Sequence, residues 1–349
     1  MNGINKIIFL QVPPWDGLWT RQNHFSLLLA EKKIKVLYVE ANTSFFKTLR
    51  NDFFSFLNPF PKFTKPNKNI TVLKNVFFMP GAKYFDFIAR LNSLILEIYI
   101  KYWLSKNHWD SYSCWCRVPL SIFTLKRLNP QKIFYDVTDD YKLYEKNHFS
   151  KRKLIIREKR LSKTASKIFI TNKSLENNIT LDKTKITYLP NGYKKSFFEK
   201  SYIDKVKRRG LITKSNDEIV IGYIGLITYW MDFKLLKKLN DHFENKIVMI
   251  GPIHQSVKKE VSKLDRINFF GKVNQSDLAY FLKEIDILII PQILSGVRKK
   301  SNPLKLWEYL ATGKPIVTVP FPIINSKLNE LIYVANNHQS FISSIEDII

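Results

Sequence analysis

A short apolar run that stops at a double proline, then a helical stretch, then a second apolar run, is the feature that most restricts how this chain can fold. Residues 6–13 (Lys-Ile-Ile-Phe-Leu-Gln-Val-Pro) predict a strand entering a Gly/Trp loop. A helix is expected over 21–32, with Phe25, Leu28 and Leu29 on one side, and a strand over 34–40. Two strands joined by a helical crossover of this length form a βαβ unit, which requires a parallel sheet with helices on its faces. Weaker strands are predicted at 70–72 and 75–79 and a helix at about 85–103. Further strands at 111–117 and 133–136, a basic helix at 154–164 and strands at 168–171 and 186–189 follow, ending at the turn Pro190-Asn191-Gly192.

A polar, basic stretch at 200–215 has no clear period and reads as a connection. The alternation then restarts, with strands at 218–224, 247–250, 267–270, 285–290 and 315–319 and helices between them. That is a second doubly wound sheet. The expected architecture is α/β, with a Rossmann-like domain over 1–199 and another over 200–349, facing each other across a cleft.

Composition narrows the function. The 349 residues carry 56 Lys/Arg against 30 Asp/Glu, a formal +26, and the excess is uneven. Residues 1–200 hold 35 basic and 15 acidic side chains, and residues 201–349 hold 21 and 15. A single-sign field on one half implies an anionic partner there: nucleic acid, membrane surface or polyphosphate. Aromatic content of 14% excludes a disordered or fibrous chain. Cys114 and Cys116 cannot supply a disulfide framework or complete a zinc site, and read as buried thiols. The run at 7–12 is too short for a signal peptide, and no window reaches the ~18 apolar residues of a membrane span. The expected location is cytoplasmic, peripheral on the cytoplasmic face of the inner membrane.

Open parallel sheets bind ligands beyond the carboxyl ends of their strands. Gly225 ends the first strand of the second domain and permits close backbone approach, although no G-x-G-x-x-G follows. More specific is Ser301-Asn302-Pro-Leu-Lys305-Leu-Trp-Glu308-Tyr-Leu-Ala-Thr-Gly313-Lys-Pro. Asn302 is a candidate N-cap and Pro303 suits a first helical position. The helix N-terminus then suits a phosphate, with Lys305 in the first turn and Glu308 on the same face. Lys305 can neutralise a diphosphate while Glu308 accepts hydrogen bonds from a ribose diol. The alternative reading is a surface Lys–Glu pair.

This stretch resembles the nucleotide-sugar-binding motif of GT-B glycosyltransferases of the family-four-like kind. Trp19, Arg21 and His24, followed by 36–40, resemble bacterial polysaccharide glycosyltransferases of the teichuronic-acid type. The resemblance implies a nucleoside-diphosphate sugar on the second domain, a UDP-sugar favoured, and an acceptor on the first. It implies that Gly225, Ser301, Asn302, Lys305 and Glu308 line the donor site. Two departures stand out: Lys300 occupies the place of a Glu found in many retaining members, and Thr228 and Asp232 stand where a basic pair is common.

Transfer with inversion needs a base for the acceptor hydroxyl. Asp136-Val-Thr-Asp139-Asp140 ends a first-domain strand, and Asp139 and Asp140 are the candidates. The loop resembles that of membrane-associated inverting glucuronosyltransferases of exopolysaccharide synthesis. A helix N-cap is the competing reading. No metal or other cofactor is expected, with Lys305 and helix-end N–H groups in a metal's place. His24 and Arg117 are weaker candidates for the acceptor side.

Residues 45–68 interleave seven phenylalanines with Lys47, Arg50, Lys62, Lys65 and Lys68. The following helix places Phe87, Leu91, Leu94, Ile98 and Tyr102 on one face. We expect an interfacial hairpin at 45–68 that dips into anionic lipid, the acceptor being a lipid-linked saccharide for cell-surface polysaccharide. Core phenylalanines under a solvated basic face are the alternative. Three rival functions stand beside this reading: a retaining transferase without a protein base, a non-catalytic sugar-nucleotide-binding protein, and a nucleic-acid-binding protein. No nucleic-acid motif accompanies the basic sequence, so nucleic acid is not the expected partner.

Overall fold

The computed structural model describes residues 4–41, 61–76, 78–178, 180–193, 212, 215, 218–274, 277–296 and 301–349. The chain divides into two compact units, Met1–Pro190 and Asn191–Ile349. The stretch read as a connection at 200–215 lies almost wholly outside the described residues, as do Lys300 and 42–60, most of the expected lipid-facing hairpin.

In the first unit, β1 (Lys6–Val12) lies between β2 (Lys35–Glu40) and β5 (Ser113–Cys116), parallel to both. A strand buried on both faces needs no polar alternation, which is why 6–12 reads as one apolar run. The full order is β3-β4-β2-β1-β5-β6-β7-β8. Here β3 is Lys62–Asn67, β4 Ile70–Lys74, β6 Ile133–Val137, β7 Lys167–Ile170 and β8 Ile186–Tyr188. Only β3 is antiparallel, pairing with β4 at the sheet edge. Its Pro66 is tolerated there because an edge strand leaves one row of N–H groups unpaired.

Cys114 and Cys116 are buried free thiols. Phe63, one of the seven phenylalanines, packs against the core and stacks on Trp103 at 6.3 Å. Among the described residues of the strand expected at 75–79, none is in a strand. Asn75 takes a left-handed φ of +57°, incompatible with extended backbone, and β4 ends one residue earlier.

Helix α1 (Arg21–Glu31) packs Phe25 and Leu29 partly against the core, as expected, but turns polar residues inward beside them. It buries Arg21, Gln22, Asn23, Ser26 and Ala30, while Leu28 is 44% exposed. The reason lies in β6, whose buried Asp136 requires polar partners from α1. On the opposite face of the sheet pack α2 (Asp86–Lys106), α3 (Ile122–Leu128) and α4 (His148–Thr164).

The second unit is a six-stranded parallel sheet of order β11-β10-β9-β12-β13-β14. Its strands are β9 Val220–Ile224, β10 Lys246–Ile250, β11 Ile267–Gly271, β12 Ile287–Ile290, β13 Ile316–Thr318 and β14 Tyr333–Val334. Counted within the unit the order is 3-2-1-4-5-6, with its switch point between β9 and β12. Strand β14 was not expected: two residues are too few to carry a period. The helices are α5 (Phe233–His242), α6 (Lys258–Val261), α7 (Leu278–Glu284), α8 (Leu304–Leu310), α9 (Ser326–Asn329) and α10 (His338–Glu346). Both units are thus doubly wound α/β sheets. Among the described residues no helix is long and apolar enough to cross a membrane.

Candidate functional site

The second unit gathers its candidate residues at the end of β9, its switch-point strand. Gly225 follows β9 with φ +146°, and Gly251 follows β10 with φ +142°. A Cβ on Gly251 would lie 2.0 Å from the Gly225 carbonyl oxygen, so the two loops touch through bare backbone. A Cβ on Gly225 would meet the Lys305 ammonium at 2.6 Å. Lys305 extends along the gap that the missing side chain leaves. Its Nζ sits 4.1 Å from the centroid of the Tyr223 ring and donates to the Tyr223 hydroxyl. That hydroxyl donates in turn to the Leu226 carbonyl at 3.1 Å.

Helix α8 is pinned to the same strand. The Tyr309 hydroxyl is fully buried, accepts from the Ile224 N–H at 2.7 Å and donates to the Ile224 carbonyl at 3.3 Å. Glu308 is half-buried beside Lys305. Burial pushes its carboxyl above the usual range, and the Lys305 charge pulls part of that back.

The capping expectation needs correction by one residue. The N-cap is Pro303, with extended backbone, and the helix begins at Leu304. Asn302 is buried; its side-chain oxygen accepts from the Trp307 indole at 2.7 Å and its carbonyl from Asn191 at 2.6 Å. It holds the entry to the helix instead of capping it. Ser301 is buried beside it. The helix has only seven residues, so the Lys305 charge outweighs any macrodipole. Asp232 caps α5 by accepting from the Leu235 N–H at 3.0 Å and pairs with His338 at 2.8 Å, which is a structural role.

Sequence reasoning missed Tyr223, Gly251 and Tyr309. The tyrosines carried no signal because core aromatics are ordinary in such sheets. Gly251, closing the second strand as Gly225 closes the first, did carry one.

In the first unit, Asp136 is wholly buried at the carboxyl end of β6. Arg21 Nε lies 3.2 Å from its Oδ2, to which Gln22 donates at 3.0 Å. Burial pushes the Asp136 carboxyl up, and Arg21 and Arg117 pull it back. Arg21 also donates to the Leu189 carbonyl at 3.0 Å, tying α1 to the end of the unit.

The adjacent candidates Asp139 and Asp140 separate. Asp140 is buried and paired with Lys142 at 3.0 Å, and Lys142 also reaches Glu158 at 3.2 Å and Asn178. Tyr135 and Thr180 donate to the same Glu158. Asp139 is half-buried and accepts from Thr138 Oγ1 at 3.1 Å. Arg117 lies 5.7 Å from the centroid of the Tyr141 ring. Burial opposes its charge, but Tyr141, Asp139 and Asp136 together hold it above its ordinary value. His24, on α1, packs edge-on to Trp19 at 5.4 Å. Asp140 stands at the N-cap position of the short helical turn that begins at Tyr141, where the capping alternative puts it, but makes no side-chain cap bond.

The family model "Glycosyl transferases group 1" matches residues 222–349. TuaH of Bacillus subtilis (strain 168), described as a teichuronic acid biosynthesis glycosyltransferase, is 26% identical over 185 residues. That stretch is 51% of this chain and 46% of TuaH, less than half the relative's length. Among solved structures, sucrose-phosphate synthase from Thermosynechococcus elongatus superposes with a TM-score of 0.71 at 12% identity, covering 99% of this chain and 89% of that one. Anabaena Alr3699/HepE, solved in complex with UDP-glucose, gives 0.65 at 13% identity over 98% and 90%. The architecture is the GT-B glycosyltransferase fold. Within it, the second unit of this chain carries the match to a glycosyl transferases group 1 domain.

Proposed function

We propose that the chain is a glycosyltransferase that moves a sugar from a nucleoside-diphosphate sugar, a UDP-sugar favoured, to a hydroxyl of a lipid-linked saccharide in bacterial cell-surface polysaccharide synthesis. The observation that carries this is the placing of Lys305 against Gly225 at the end of β9, with Glu308 beside it. A flexible cation over side-chain-free backbone suits a diphosphate, and a partly buried carboxylate suits a ribose diol. Two observations on similar proteins support the donor class: HepE was solved with UDP-glucose, and TuaH is described as a teichuronic acid biosynthesis glycosyltransferase.

In this reading Gly225, Ser301, Asn302, Lys305 and Glu308 form the donor site. The acceptor oxygen attacks the anomeric carbon while the bond to the diphosphate oxygen breaks. The leaving diphosphate takes that electron pair and Lys305 neutralises it. Asp139, half-buried and next to Arg117, takes the proton of the acceptor hydroxyl. Asp140, fixed on Lys142, holds the loop in shape. His24 and Arg117 lie on the acceptor side. The reaction needs no metal if Lys305 carries the diphosphate charge. The basic first unit keeps the enzyme on the cytoplasmic face of an anionic membrane, near its lipid-linked acceptor.

The test is calorimetric titration of the purified chain with UDP-, GDP- and dTDP-sugars, followed by NMR of the product's anomeric configuration. Binding of one nucleotide class, weakened in Lys305→Ala, is expected. Absence of binding to every nucleotide overturns the reading.

A further inference from the structure

Five apolar side chains on α2 point away from the core. Phe87, Leu91, Leu94, Ile98 and Tyr102 recur at spacings of four, three, four and four, which places them on one stripe of a helix. The inner face is occupied separately by Ala89, Leu96, Ile100, Trp103 and Leu104, packed on the sheet. The outer stripe is not marginally exposed: Phe87 is 67%, Ile98 58% and Tyr102 62% accessible. Contiguous exposed apolar surface of this kind marks an interaction site.

What surrounds the stripe is cationic. Helices α2, α3 and α4, all on one face of the sheet, carry twelve Lys/Arg against three Asp/Glu. Those three carboxylates are already engaged. Asp86 pairs with Arg157 at 2.6 Å, Glu97 with Lys101 at 2.8 Å and Arg127 at 2.9 Å, and Glu158 is buried on Lys142. Beside the stripe, Arg90, Lys126, Arg127 and Arg160 line a cavity of about 210 Å³, with Ile122 and Phe123 as its apolar wall. On α4, Phe149 and Ile156 are exposed among Arg152, Lys159 and Arg160.

We propose that the outer face of the α2–α3–α4 layer docks on an anionic lipid bilayer. The stripe on α2 lies at acyl-chain depth, and the cavity beside it receives a headgroup phosphate. A bilayer supplies anionic groups and an apolar layer side by side, as this face demands. A second copy of the chain would instead press one net cationic face against another. The long Lys and Arg side chains reach headgroup level while their stems cover apolar surface. This inference rests on the membrane-bound acceptor reading above and names the surface it would use.

The test is co-sedimentation of the full chain with phosphatidylcholine vesicles, with and without phosphatidylglycerol, alongside analytical ultracentrifugation and UDP titration. Wild type should bind the anionic vesicles and release them at high salt. The triple variant Phe87→Ser/Ile98→Ser/Tyr102→Ser should bind at least about tenfold more weakly, as should Lys126→Glu/Arg160→Glu. Both should keep wild-type melting and UDP affinity, because these side chains lie at the surface, outside the donor site. If wild type binds and both variants bind equally well, this face is wrong while membrane attachment stands. If wild type binds no anionic vesicle, face and attachment both fall, and UDP binding still reports separately on the donor site. A wild-type dimer that the triple variant abolishes would assign the face to a second copy and overturn the proposal.

Discussion

The ammonium of Lys305 rests over the ring of Tyr223, 4.1 Å from its centroid, at the place where Gly225 has no side chain. The aromatic face and hydroxyl hold the cation while leaving it next to bare backbone. Replacing Lys305 by Ala should weaken UDP binding by about 10- to 100-fold, the worth of one charged hydrogen-bonding group at about 1.5–3 kcal/mol. Calorimetric titration measures this directly. Tyr223→Phe keeps the ring and should cost far less.

The contact between Gly225 and Gly251 has no slack. In Gly251→Ala the new Cβ would fall 2.0 Å from the Gly225 oxygen at a φ of +142°. We expect a stability loss of at least about 1–3 kcal/mol from the backbone conformation alone, before the clash is counted. Thermal melting should show it, and UDP affinity should fall with it, because the displaced loop is the one facing Lys305.

Glu308 has a carboxyl raised above its ordinary 4.5 by burial. The folded chain therefore holds this proton to a pH at which the unfolded chain has released it. The ligand-free protein is favoured below the ordinary carboxylate range, and that contribution fades as pH rises through the raised value. UDP binding should run the opposite way, strengthening over the same window as the carboxylate forms and accepts from the ribose. Titrations across mildly acidic pH should show this slope in wild type and its loss in Glu308→Gln.

Asp139 and Asp140 should respond differently to the same substitution. Asp139→Asn should keep its melting temperature and UDP affinity while turnover drops about 10²–10⁴-fold, the usual worth of a positioned base. Asp140→Asn should lower stability by about 1–3 kcal/mol, because Lys142 loses one of two carboxylate partners and keeps Glu158. If Asp139→Asn turns over normally, the base assignment is wrong.

Much of this protein was legible in one dimension. The alternation of buried runs and helical stretches pointed to two doubly wound sheets, because strands buried on both faces are predominantly apolar. The residues from Ser301 to Gly313 announced a polar first turn at a strand end, and Gly225 announced a close approach. The partner of that glycine was less legible. Gly251 lies 26 positions away and meets Gly225 only because β10 pairs with β9.

Tertiary structure alone decided which polar residues are scaffold and which are accessible. Asp139 and Asp140 are neighbours of identical chemistry, yet one is sealed by Lys142 on a loop anchored to α4 and the other is half-open. Helix α1 showed an apolar Phe25–Leu29 side, which does meet the core, but only the structure shows that the buried charge of Asp136 also draws Arg21 and Gln22 inward. On α2, the period that marks a core helix also describes an unburied stripe. Periodicity fixes which residues share a face; only packing decides whether that face meets the core. Part of the +26 charge likewise acquired a location once α2, α3 and α4 assembled on one side of a sheet, bringing together cations that lie up to about seventy positions apart in the chain.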